Sequence, residues 1–512
     1  MKRKYVLVLS VLLLLSVLIA AFAGCNKDGQ TDTTGTPTSD LSTTVPETTA
    51  KETTADPTAE PTAAPTAEPT RAETTAPQDD PAGPKVVFSD KEGNMIEEVP
   101  IRTDSPVVSP EPPVVEGYTF IGWSGAYENA TEDTSVRALY TKDITPSTTD
   151  EIRAWKPTYT STLYSCKVSV YKDFSYGTRG DVTNEGDGFD ASKGLGGWIL
   201  NSEHGHTPYH RHRTGQYFDV YLPENYTAST PVLLYLHGGA WSQIYDKDGT
   251  SLDLLARIAA SGYICVSADY IMQSNNTQDG ATVGRDGATF AAMLGDIDLV
   301  VSYLHDVFLP AIGVSNENKI AVAGPSAGGH LAALYAYDAN DPAKLGLSLA
   351  HKMEVGILLD IVGPDYLESF LPIAEQMFSA LLQTEGPSPF RILFARLVGL
   401  NDDATDDALI NAAAFWSPSR LIAPGIPAVI LAYAEITEGA GTDGAIPTST
   451  FDALKVAVTD AGATCSAALF VGVDHGAIDQ SGVFPIKGTD VTANPSVWMT
   501  EQLVSMRTKL TD

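Results

Sequence analysis

The sequence predicts an α/β architecture, a mostly parallel central sheet covered by helices on both faces. The first observation behind this is a series of short, largely apolar runs: Pro231–Leu236, Tyr263–Ala268, Lys319–Ala323, Val355–Leu359, Ala428–Ala432 and Ala467–Val471. Helical patterns such as 287–309 and Leu331–Tyr337 lie between them. Strands buried on both faces read as continuous apolar stretches, and a parallel sheet needs helical crossovers to connect them. The second observation is Gly324-Pro-Ser-Ala-Gly328, placed where the third run stops and a helix begins. Hydrophobic residues make up 43% of the 512-residue chain and charged residues 19%, so most of it can bury a core.

The N-terminal elements follow a different logic. Lys2, Arg3 and Lys4 precede an uncharged apolar run from Tyr5 to Phe22, the pattern of an export signal over 1–24. The run ends Phe22-Ala-Gly-Cys25, which resembles the lipobox of bacterial lipoproteins. That resemblance implies cleavage before Cys25, acylation of its sulfur and new amine, and lipid anchoring at the extracellular face of a bacterial cell membrane. An uncleaved apolar anchor is the alternative. Residues 25–84 are rich in Thr, Pro, Ala and acids, with the near-repeat Ala-Glu-Pro-Thr. They carry too few large apolar groups to offset ordering entropy, and their frequent prolines favour an extended stalk.

From 85 to 142 the composition becomes that of a folded module. Thr134–Tyr140 alternates apolar and polar residues as a strand does, and Gly117-Tyr-Thr-Phe-Ile-Gly-Trp123 precedes it. The pattern resembles the internalin-type B repeat (Listeria–Bacteroides repeat), which implies a small β-grasp-like unit. Phe120 and Trp123 are expected in its core, since aromatic side chains dominate small cores. Residues 143–160 are expected to link this module to the large domain at 161–512.

In the large domain, Gly-x-Ser-x-Gly at a strand-to-helix turn is the setting of a nucleophile elbow, where glycines relieve crowding so that a strained Ser326 can project its hydroxyl. Upstream, His237-Gly-Gly-Ala-Trp241 ends the first apolar run. Such a loop can offer the backbone N–H groups of Gly239 and Ala240, with that of Ala327, to a developing oxyanion. His237 is expected to orient the loop and not to act as base. With Tyr217-Phe-Asp-Val-Tyr-Leu-Pro223, these elements resemble the α/β-hydrolase superfamily, in particular hormone-sensitive-lipase-like and feruloyl-esterase-like carboxylesterases. The departure is Ala240 where that family commonly has a third Gly.

The resemblance implies a Ser-His-Asp triad in the chain order Ser, acid, His. No histidine follows His351 except His475, so His475 is the base. Asp443, in Asp-Gly-Ala-Ile-Pro447, resembles the family's Asp-x-x-Val-Pro and is the candidate acid; Glu435 and Glu438 are rivals on the same loop. Residues 365–411 interrupt the strand pattern and look like the family's cap. A Gly-rich stretch, 174–215, carries His204, His206, His210 and His212, but without a neighbouring carboxylate cluster or Cys pair it reads as a polar loop, and no metal or cofactor is expected. Cys265 and Cys465 lie in apolar runs and read as buried thiols.

Lys and Arg total 32 against 64 for Asp and Glu, which excludes the basic surface that nucleic-acid binding requires. The expected activity is hydrolysis of acyl esters outside the cell, with acetyl or feruloyl groups on polysaccharide as substrates. A serine peptidase or amidase and a surface adhesin on a hydrolase-like scaffold are the other readings. Removing residues 1–24 leaves the chain still more acidic, so the tether must be lipid or helix rather than basic side chains. Cys25→Ser should therefore release the protein from membranes or leave its precursor uncut; unchanged processing and retention would favour the anchor.

Overall fold

The computed structural model describes residues 83–510, apart from 103–104, 124–126, 129, 164–165, 183–214, 242–246, 248–251, 274–287, 316–317, 383–387 and 477–481. Cys25, the stalk and the histidines at 204–212 lie outside the described residues. The large domain is built on a nine-stranded sheet. Its strands are β5 (Tyr159–Leu163), β6 (Cys166–Ser175), β8 (Tyr217–Pro223), β9 (Val232–Leu236), β10 (Ile264–Ala268), β11 (Lys319–Pro325), β12 (Glu354–Ile361), β13 (Ala428–Glu435) and β14 (Cys465–Val471). In space they run β14-β13-β12-β11-β9-β10-β8-β6-β5.

The six strands from β9 to β14 pair in parallel, while β8, β6 and β5 extend the sheet antiparallel on the β10 side. Every residue of β9, β10 and β13 is buried, which is why those segments carry no alternation. Helices α2 (Leu252–Ala260), α3 (Phe290–Tyr303), α4 (Ala327–Asp338), α8 (Thr448–Asp460) and α9 (Pro495–Ser505) contribute their apolar residues to the same core. This is the α/β-hydrolase fold. From β9 the chain moves one way to β10, then crosses back to place β11 on the other side of β9. That reversal opens a crevice at the carboxyl ends of β9 and β11, where ligands of open α/β sheets bind.

The 365–411 interruption holds two helices, α5 (Leu367–Leu382) and α6 (Pro389–Leu397), and the start of a third, α7 (Asp406–Phe415), which runs past it. Phe370 of α5 packs edge-on against Trp241, with ring centroids 6.4 Å apart, and against Phe390 at 5.9 Å. The insertion thus lies beside the loop that follows β9.

The small module contains β1 (Lys85–Ser89), β2 (Met95–Pro100), β3 (Tyr118–Trp123) and β4 (Thr134–Asp143), in the order β2-β1-β4-β3. Trp123 is buried and stacks edge-on against Phe88 at 4.9 Å; Phe120 is half-buried beside Trp123 and Tyr140. The module is not a separate bead. β4 also pairs antiparallel with β7 (Arg179–Val182) from the large domain, through Thr141↔Val182 and Asp143↔Arg179. Arg179 in turn reaches Asp296 of α3, whose carboxylate also accepts from Gln216 Nε2 at 3.0 Å and Ile271 N at 2.8 Å.

The stretch 143–160, expected as a linker, is packed as well. It carries helix α1 (Thr149–Ala154), capped by a Thr148–Glu151 capping box and buried at Ile152, and Ser147 N donates to Ser175 O at 2.8 Å. A chain starting near Thr145 strips β7 of its partner strand. Its unfolding midpoint should fall by about 4 °C or more relative to the full chain, on the scale of 2–4 °C per kcal/mol for domains of this size; an unchanged midpoint would show that β4 adds nothing to the large domain.

Candidate active site

The end of β11 meets the start of α4 in a space too small for any side chain. A Cβ on Gly328 would sit 2.1 Å from the Leu236 carbonyl oxygen, and one on Gly324 would sit 2.4 Å from the Gly328 carbonyl carbon. Only glycine at both positions lets the elbow helix approach β9 this closely. Between them Ser326 adopts φ 54° and ψ −121°, a conformation held by Ser326 N donating to Ile361 O at 2.8 Å and Ser326 O accepting from His330 N at 3.0 Å.

The loop after β9 lies against this turn. A Cβ on Gly238 would sit 3.1 Å from Pro325 O. Gly239, Ala240 and Trp241 follow with φ of 109°, 53° and 56°. Two successive non-glycine residues in the left-handed region cost energy that their surroundings must supply. The buried Trp241 indole donates its N–H to His330 Nδ1 at 3.2 Å, and His330 Nε2 lies 2.9 Å from Trp416 O. With an N–H facing Nδ1 and a carbonyl facing Nε2, His330 carries its hydrogen on Nε2. Burial lowers its pKa to about 3, so the ring stays neutral. His237 is also buried; it stacks on Tyr270 at 4.3 Å, lies with Nδ1 2.8 Å from Gly238 O, and is lowered to about 4 by burial. It is a loop-fixing group, distant in role from a base.

The structure brings Ser326, His475 and Asp443 together. Ser326 Oγ is 2.9 Å from His475 Nε2, and His475 Nδ1 is 2.7 Å from Asp443 Oδ2. The other Asp443 oxygen accepts from Ala445 N at 2.8 Å and Ile446 N at 2.5 Å, and Asp443 O accepts from His475 N at 2.8 Å. The carboxylate is therefore fixed in direction, and the acid and histidine loops are joined by backbone as well as side chain. Burial acts to lower the His475 pKa, but the charge and hydrogen bond of Asp443 outweigh it and leave the imidazole above its ordinary value.

The rivals are placed elsewhere. Glu435 is fully buried and committed to Lys487 Nζ at 2.8 and 3.0 Å and to Gly441 N at 3.1 Å, an arrangement that braces the acid loop. Glu438 is exposed, and Asp474 accepts from its own turn at Gly476 N, 3.1 Å away. Sequence reasoning did not find Lys487, which no motif marks, or the His330–Trp416 contact. The signal for His330 was present, since it directly follows the elbow glycines.

The family model BD-FAE matches residues 218–385, a stretch that contains the loop after β9 and the elbow but ends before Asp443 and His475. The chain is 33% identical over 113 residues to esterase LipQ of Mycobacterium tuberculosis, covering 22% of this chain and 23% of that protein. It is 33% identical over 121 residues to a kynurenine formamidase of Danio rerio, covering 23% of this chain and 34% of that protein. The matches thus span a quarter to a third of these curated relatives. Among solved structures, a truncated carbohydrate esterase from gut microbiota aligns with a TM-score of 0.44 and 15% identity over 70% of this chain and 100% of that one. The chain has the α/β-hydrolase fold, and the stretch carrying its elbow is similar in sequence to esterases and to a formamidase.

Proposed function

We propose that this protein is a serine carboxylesterase that hydrolyses acyl esters through an acyl-enzyme on Ser326. The observation that carries this reading is the continuous hydrogen-bonded line from Ser326 Oγ through His475 to Asp443, set at the sheet's switch point. A serine hydroxyl is a weak nucleophile at its free pKa. In this mechanism His475 Nε2 takes its proton as Oγ attacks the ester carbonyl, and Asp443 fixes the tautomer and stabilises the imidazolium that forms. The backbone N–H groups of Gly239, Ala240 and Ala327 receive the oxyanion, at about 3 kcal/mol for a single donor. His475 then gives its proton to the leaving alkoxide, and water, activated by the same ring, releases the acid.

The helical insertion at 365–411 is assigned here to the acyl pocket, on its contact with Trp241 through Phe370. For the natural substrate we favour acetyl or feruloyl esters on polysaccharide, presented to an enzyme held outside the cell by lipid on Cys25, with the stalk and the B-repeat-like module between. Likeness to a formamidase favours amide hydrolysis as a second reading, because the same triad serves both. Turnover of nitrophenyl esters and acetylated xylan with no cleavage of formanilides supports the first; the reverse supports the second.

Ser326→Ala and His475→Ala should each reduce kcat to near background, with the double variant little worse than either single one. Asp443→Asn should cost about 10⁴-fold, whereas Glu435→Gln should mainly lower stability; a crippled Glu435→Gln with an active Asp443→Asn would reassign the acid. The acid limb of kcat/KM tests the electrostatics. His475 must be neutral to act as base, and Asp443 raises its pKa. Residual activity in Asp443→Asn should therefore persist to lower pH than in the unaltered enzyme.

A further inference from the structure

Two carboxyl groups that the hydrolytic mechanism does not use lie beneath the elbow. Asp360 pairs in register with Gly324 at the end of β12, and the chain then turns through Val362 and Gly363 into Asp365. Both side chains are buried, at 0% and 2% exposure. Tyr433 of β13 has one hydroxyl hydrogen and three acceptors around it: Asp360 Oδ2 at 2.7 Å, Gly363 O at 2.8 Å and Asp365 Oδ2 at 3.0 Å. Only one of the three can take that hydrogen, so at least one carboxyl must bring a hydrogen of its own to its close contact with the Tyr433 oxygen.

Among the described residues no Lys, Arg or His pairs with either group. The titratable groups facing the pair are phenols, Tyr433 from β13, Tyr337 from α4 and Tyr366 next along the chain. Burial pushes both carboxyls up, and the neighbouring Asp360 charge pushes Asp365 further.

The pair touches the elbow directly. Asp360 Oδ1 accepts from Gly363 N at 3.0 Å and lies 2.6 Å from where a Cβ on Gly329 would stand, in the first turn of α4. The turn that carries it supplies Ile361 O to Ser326 N. Its next residue, Val362, has φ 47°, a region that β-branched side chains enter only when the surroundings impose it. We propose that Asp360 and Asp365 share a single proton and that this proton holds the strained 361–365 turn against the elbow, which makes Asp365 a positioning residue for Ser326. The positioning half rests on the esterase reading above; the shared proton does not.

The sign of a pH dependence tests the proton. In the unfolded chain Asp365 ionises near its ordinary value, about 3.9. A folded value above that makes Asp365 cost progressively more stability as pH rises past the unfolded value, a cost that Asn does not carry. Thermal midpoints of the full chain and of Asp365→Asn should therefore diverge in favour of Asn between mildly acidic and neutral pH. A gap that closes or reverses would mean an ionised, favourably bound Asp365 and would overturn the proposal. Infrared spectra of the unaltered protein at neutral pH should show a protonated-carboxyl C=O stretch; its absence would overturn the proposal even if the variants failed to fold.

Fluorophosphonate labelling of Ser326 tests the positioning. Asp365→Asn keeps a hydrogen to give within the Tyr433 cluster and should label within about twofold of the unaltered chain, while Asp365→Ala should label about tenfold slower, the scale expected of a small displacement of a reacting group. Equal slowing in both would deny the proton its role, and normal labelling in both would deny the positioning. If the unaltered protein is not labelled at all, the esterase reading fails while the midpoint and infrared measurements still decide the shared proton.

Discussion

The close approach of the elbow helix to the end of β9 is the constraint on which the remaining features of the site depend. Gly328 and Gly324 leave no room for a methyl group between the two backbones, and that contact forces Ser326 into its φ 54° conformation at the mouth of the crevice. The same contact sets Gly238 against Pro325, so the loop that carries Gly239 and Ala240 is registered on Ser326 by backbone packing. His330, one turn further along α4, extends this registration to Trp241 and to Trp416, which follows α7. A strained hydroxyl and the loop facing it are positioned by one surface.

The acid side is held by a separate device. Asp443 is reached only after β13, and its loop is fixed from two directions, by its own carboxylate on the backbone of Ala445 and Ile446 and by Glu435 with Lys487 behind it. His475 then needs little further support, because its backbone N–H and its ring both bond Asp443. The small module is joined to the large domain through the β4–β7 pairing, and β7 in turn is tied to α3 by Arg179 and Asp296.

What was legible in the sequence follows from how local each signal is. The six parallel strands announce themselves because burial on both faces removes polar residues, and the elbow does so because steric exclusion admits only glycine. His475 was proposed from the chain order that the family resemblance implies, together with elimination, and Asp443 over Glu435 from its likeness to that family's Asp-x-x-Val-Pro; the structure places Asp443 with its carboxylate on Ala445 N and Ile446 N. The pairing of β4 with β7 was not legible, since strand edges carry no mark of a partner some forty residues away in another unit. Nor was the Asp360–Asp365–Tyr433 cluster. Tyr433 is 68 and 73 residues from the two carboxyls, across the sheet, and an Asp at a strand end reads as an ordinary surface carboxylate.

Hydrolysis through an acyl-enzyme requires covalent chemistry at one oxygen atom, Ser326 Oγ. The most direct measurement is mass spectrometry of the protein acid-quenched during turnover of nitrophenyl acetate, with the modified peptide sequenced. The expected result is a single acetyl group, on Ser326, that accumulates in a burst and disappears as substrate is exhausted. Ester turnover with Ser326 unmodified throughout, or an acetyl group carried on another residue, would contradict an acyl-enzyme at Ser326.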